Sequence, residues 1–186
     1  MHTFLMAIAL FAQVSISREA VKAQSDLRAA LAPEAREKLE HAAASIAKVD
    51  VKTAQKAVKS AFPDAELSAA DLDALASYVM SEAATVIAAE TTKIDEQKSA
   101  LREAMKAAGV EPKTGAKYAL KLSGDYAKAP EPLGADAAPA AMQQRLDELN
   151  AMAELNQRRR ASALDAAESG LKKVHDVAMN AIRNLK

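Results

Sequence analysis

Apolar residues recur along this chain at three- and four-residue intervals, in two long blocks separated by a stretch where that period fails. The first block runs from about Ser68 to Ala108 and the second from about Ala140 to Leu185. In the first, Met80, Ile87, Ile94, Leu101 and Ala108 form a strict seven-residue seam, widened at the start by Leu72, Ala76, Val79, Ala83 and Val86. Residues three, four and seven apart share one helical face, so the pattern predicts one continuous amphipathic helix. Its ends carry their own signals. Ser68 is a good N-cap with Asp71 three residues on, Leu67 and Leu72 stand at staple positions, and Gly109 followed by Pro112 provides a stop. A helix of about 40 residues extends roughly 60 Å, whereas the average globular helix has about 12 residues.

The second block repeats at Met142, Leu146, Leu149 and Ala153, then resumes at Leu164, Leu171, Ala178 and Leu185. The stripe lapses between Asn156 and Arg160. Polar groups on such a seam can set register or oligomeric state. Between the blocks, residues 110–139 are rich in glycine and proline. Tyr118, Leu120, Leu122 and Tyr126 are apolar enough to pack, as a contact or as a cap on a hairpin tip, whereas 127–139 reads as a mobile linker. Ahead of the first block, residues 18–66 predict two or three short helices, with Pro33 in a first turn, Asp50 as a cap, and Phe62-Pro63-Asp64 as a terminator. The expected fold is all-α: a long antiparallel, coiled-coil-like hairpin on short N-terminal helices.

Residues 1–17 change the picture of location. Thr3 to Ile16 is nearly all apolar and uncharged, too short for a comfortable bilayer span but of the length of a secretory h-region. Ser15 and Ser17 suit a signal peptidase, and Val21-Lys22-Ala23 offers a second site. The n-region lacks Lys and Arg. The reading is a signal peptide and a periplasmic or secreted chain. The alternatives are a buried first helix of a cytoplasmic bundle and a retained anchor whose residues 3–16 contact a membrane.

Composition narrows the chemistry. Half of the 186 residues are hydrophobic, but aromatics are 3% and there is no Trp or Cys. Alanine-rich helices pack closely and bury little area each, which suits a rod more than the apolar walls of an enzyme pocket. Twenty-five basic and 25 acidic residues balance, against the basic excess of a nucleic-acid binder. His2, His41 and His175 make no metal-ligand spacing, and no phosphate loop, dinucleotide fingerprint or nucleophile elbow is present. Arg158, Arg159 and Arg160 are the densest charge run, but successive helical residues diverge by about 100° and cannot form one patch. Glu90 and Gln97, one heptad apart, read as ordinary interhelical polar contacts.

The function expected from this is non-enzymatic, with no cofactor, metal or nucleic acid: a structural or interaction protein of the cell envelope that pairs its hairpin with itself, as a homo-oligomer, or with an envelope partner. Candidate interaction residues are Met80, Ile87, Ile94, Leu101, Tyr118, Tyr126, Asn156, Arg158, Arg159, Arg160, Leu164 and Leu171. The alternatives are an ATP-independent holdase-like chaperone and an amphipathic coat on a lipid or granule surface.

Overall fold

In the computed structural model the described residues are 22, 25–29, 31–46, 48–113, 120, 125–134 and 137–184, with side chains described as far as Lys173. Regular structure among them is entirely helical, without strands, and one long helix packs against another. Among the described residues, a helical stretch at 25–29 is followed by α1 (Pro33–Ser45), α2 (Val51–Ala61), α3 (Ala69–Ala107) and α4 (Pro139–Asn184). The expected leader over residues 1–17 lies outside the described residues.

Local chemistry sets the helix ends. Pro33 stands in the first turn of α1, where a missing N–H costs no bond. Asp50 caps α2, its carboxylate accepting from Thr53 N at 2.9 Å. That hydrogen bond leads the effects holding the Asp50 carboxyl below the ordinary range, against the opposing effect of burial. At α3, Ser68 Oγ accepts from Asp71 N at 3.1 Å while the Asp71 carboxylate accepts from Ser68 N, a complete capping box. The other end closes in a Schellman turn. Gly109 takes φ +70°, Val110 N donates to Met105 O at 2.8 Å, and Gly109 N donates to Lys106 O at 3.1 Å. Ser68→Ala is expected to lower stability by about 1 kcal/mol, read as a shift in the thermal midpoint; an unchanged midpoint would mean water serves the freed N–H equally well.

The two halves of α3 differ. Six consecutive residues, Ala76 to Ser81, are buried, because α1, α2 and α4 all pack on this helix. Beyond Ile87 burial narrows to Ile94, Leu101 and Met105. The seam ends at Met105, not at Ala108, which is exposed; a seven-residue repeat drifts about 20° per heptad, so after three heptads from Met80 a four-residue step returns to the face and another seven does not. Ser77 on α3 lies against Gly170 on α4, and Leu101 and Ala104 share a hollow with Met142 and Leu149. The start of α3 therefore meets the later part of α4, and its end meets the start of α4.

Two apolar clusters result. One joins Leu39, Ala43, Ile46, Val49, Ala54 and Val58 of the N-terminal region to Tyr78, Val79, Met80, Ile87, Ala163, Leu164 and Ala167. The second joins Ile94, Leu101 and Met105 to Met142, Leu146, Leu149, Met152 and Ala153. Val51, placed by its spacing on the apolar row of α2, is instead 41% exposed, and the buried row begins at Ala54. Arg28 ties residues 25–29 to the body, reaching Glu40 at 3.3 Å and Glu82 at 3.6 Å.

Candidate functional site

Several polar side chains of the long helices converge on the main chain of the connection between them. Glu90 and Gln97 stand seven residues apart on α3 and so share a face. The Glu90 carboxylate accepts from Ala129 N at 2.8 Å, and the Gln97 amide donates to Pro130 O at 2.7 Å. From α4, Asn156 both accepts from Ala127 N at 2.7 Å and donates to Ala127 O at 2.8 Å. One turn on, Arg159 donates to Asp125 O at 3.0 Å and pairs with its carboxylate at 2.9 Å. The same carboxylate accepts from Val49 N at 3.0 Å, fastening the segment to the N-terminal region as well. A second amide clasp sits upstream, where Gln143 accepts from Lys113 N at 2.8 Å and donates to Lys113 O at 2.9 Å.

Residues 125–134 thus form a strap without helix or strand, laid on the helix pair. Ala127 is buried, and Ala129, Leu133 and Ala137 pack on the second cluster. Residues 127–134, expected as a mobile linker, are packed on the helix pair, where buried amides and carboxylates need partners and the strap's main chain supplies them. Glu90 and Gln97, expected to contact the facing helix, bind the strap instead.

Asn156 is the centre of the arrangement. It is fully buried and continues the alternating three- and four-residue row of α4 through Leu149, Ala153, Asn156 and Ala163, so the apparent lapse in the stripe is a buried polar position. Arg158 points out and pairs with Glu154 at 3.2 Å, Arg160 is exposed, and Arg159 alone of the three reaches the strap. Met80, Ile87, Ile94, Leu101, Leu164 and Leu171 are all buried within this one chain. Tyr126 is half-buried against the first cluster with its hydroxyl 3.5 Å from Ala44 O. Tyr118 lies outside the described residues, as do the side chains of His2 and His175.

Electrostatics favour the closed strap near neutral pH. Burial pushes the Glu90 carboxyl up, but hydrogen bonds from Lys93 and Ala129 N, with the charges of Lys93 and Lys128, outweigh it and hold the group below the ordinary range. Burial, reinforced by the Glu90 charge, pushes the Tyr126 phenol up, so it stays neutral here. A carboxyl lowered in the folded state stabilises above its unfolded value of about 4.3 and loses that contribution as the pH falls through the folded value. Stability measured from pH 6 down to pH 3 is expected to fall more steeply in the natural chain than in Glu90→Gln. Equal slopes would remove Glu90 from the clasp's energetics.

Two features carried little or no sequence signal. Tyr78 is fully buried, and burial, followed by the Glu82 charge, pushes its phenol up to about 12. His41 is exposed in an open groove with Glu37, Lys38, Ala57 and Ser60. Among the described residues no group of three or more His, Cys, Asp or Glu is placed to hold a metal ion. No family model, no curated protein and no solved structure matches the chain.

Proposed function

We propose that this chain is a non-enzymatic interaction protein whose coiled-coil-like antiparallel hairpin, α3 with α4, holds polypeptide. The observation that carries the reading is the convergence of Glu90, Gln97, Asn156 and Arg159 on main-chain atoms of one irregular segment. Main-chain groups are common to every polypeptide, so side chains aimed at them make a holder of extended chain. Because the long-helix seam is filled within one copy, self-association or an envelope partner engages the outer faces of the rod or the strap groove. Export through the segment 3–16 belongs to the same proposal, and a native protein of full-length mass in the cytoplasm would remove it. Sedimentation velocity across a hundredfold range of concentration tests self-association: a concentration-dependent dimer is expected, and a monomer throughout would confine the interaction role to other partners.

A holdase-like role requires the adaptable side chains of Met105, Met142 and Met152, which are buried in the second cluster, to be uncovered for clients. Suppression of client aggregation without ATP would support it. For a lipid-surface role the relevant observation is α3, which among the described residues is the one helix long and apolar enough to cross a membrane by length and composition. Half of its most apolar window is already buried inside the fold, which favours the interaction reading.

A further inference from the structure

The strap does not fill the groove it occupies. Its downstream end, Pro132, Leu133 and Gly134, roofs a hollow of about 150 Å³ bordered by Leu101, Ala104, Met142 and Leu149, with Gln97 and Arg145 at the rim. Leu133 packs against the second cluster yet leaves this space, and a Cβ built on Gly134 meets nothing within 4 Å. An apolar hollow of roughly this size accepts a benzene-sized group. Within the strap only Ala127 is buried, while Tyr126, Ala129 and Leu133 are covered in part, and partial cover removes less apolar area from water than full burial. Its hold depends instead on hydrogen bonds to Asp125 O, Ala127 N and O, Ala129 N and Pro130 O. Any extended chain able to offer the same atoms can reproduce those bonds.

We propose that the groove between α3 and α4 is a docking site for an extended segment of a partner protein, and that residues 125–134 occupy it in cis as an exchangeable stand-in. The partner segment carries small residues at the positions of Ala127 and Ala129, where the main chain lies close to Asn156 and Glu90. It tolerates proline at the positions of Pro130 and Pro132, where the strap itself has no N–H to offer. At the position of Leu133 it carries a bulky apolar or aromatic side chain that fills the hollow. Opposite Arg159 it carries an acidic residue, as Asp125 does here. The inference rests on the reading of this protein as an interaction module and names the partner class for that site.

Hydrogen exchange on the full chain tests whether the strap opens. The amides of Ala127 and Ala129 are expected to exchange by local opening, at least about tenfold faster than those of Ile87 and Ile94 in α3. Exchange of all four at the rate of global unfolding overturns the proposal. A labelled peptide of the sequence 125–134 carrying Leu133→Phe tests the docking. It is expected to bind the full chain saturably, roughly tenfold tighter than the unaltered sequence, and to speed exchange at Ala127 and Ala129 further. Gln97→Ala, on a half-buried surface position, should weaken that binding without loss of helix content. Leu133→Phe placed in the chain itself should raise the thermal midpoint and abolish peptide binding by filling the groove in cis. Absence of saturable binding, or a lowered midpoint with unchanged strap exchange, overturns the proposal. So does strap opening only on dimerisation, which would make a second copy the occupant. A chain that dimerises in sedimentation but never binds the peptide defeats this inference and leaves the broader reading standing; a strict monomer that binds it does the reverse for self-association.

Discussion

Asn156→Ala is expected to destabilise the protein by about 3 kcal/mol and to lower its thermal midpoint by roughly 6–12 °C. The side chain is fully buried and its amide satisfies both polar groups of Ala127, which is itself buried. Truncation leaves an N–H and a C=O in an apolar setting without partners, each at a cost of about 1–3 kcal/mol. Calorimetry on the variant reads the loss, and a change below about 0.5 kcal/mol would show that water replaces the amide. Asn156→Asp separates hydrogen bonding from size. At neutral pH the carboxylate keeps an acceptor for Ala127 N, loses the donor to Ala127 O, and buries a charge. Burial raises the pKa of such a group, so the destabilisation is greatest above that value and is relieved as the pH falls and the carboxyl gains a proton to donate. Destabilisation independent of pH would refute that account.

Gly170→Leu is expected to cost about 3 kcal/mol. A Cβ at this position would overlap Ser77 Oγ, sit 3.2 Å from Ser77 Cβ, and stand 3.6 Å from Asp73 O. Ser77 has little freedom to move away, being buried and donating to Asp73 O at 2.7 Å. Gly170 therefore marks a close approach of α4 to α3. Glycine in a helix interior costs about 1 kcal/mol relative to alanine, and that cost is offset by the approach it allows. Gly170→Ala should consequently be milder than Gly170→Leu, with regained helix propensity opposing the overlap. Ser77→Ala in the Gly170→Ala background should recover most of the loss, because it removes the overlapping atom. A double-mutant cycle measures the coupling; additive effects of the two changes would mean that the helices separate instead of clashing.

The sequence carried the long helices well because their signals are local. Ser68 with Asp71 and Gly109 with Pro112 bracket α3 to within a residue of its observed ends. Pro33 and Asp50 mark the starts of α1 and α2 just as directly. Two signals were visible but ambiguous. The break in the α4 stripe at Asn156 looks alike whether that residue faces solvent, a second helix or a buried main chain. The seven-residue interval between Glu90 and Gln97 shows that they share a face but not what that face meets. Gly170 stood outside the sequence reading altogether: nothing in the helical pattern around it names Ser77 as a neighbour.

Residues within about seven positions interact through the backbone geometry of one helix, so the sequence by itself determined the all-helical class, the extent of α3, its caps, and the apolar rows Met80 to Leu101 of α3 and Met142 to Ala153 of α4. Which polar residues are buried, and what satisfies them, depended on contacts between positions about thirty to forty apart, such as Asn156 with Ala127 and Glu90 with Ala129. Proline- and glycine-rich composition reads as linker because such a stretch lacks a periodic apolar face. It became a strap because the groove between α3 and α4 supplies polar side chains at the spacing of its main chain, and only the packed helices place those side chains together.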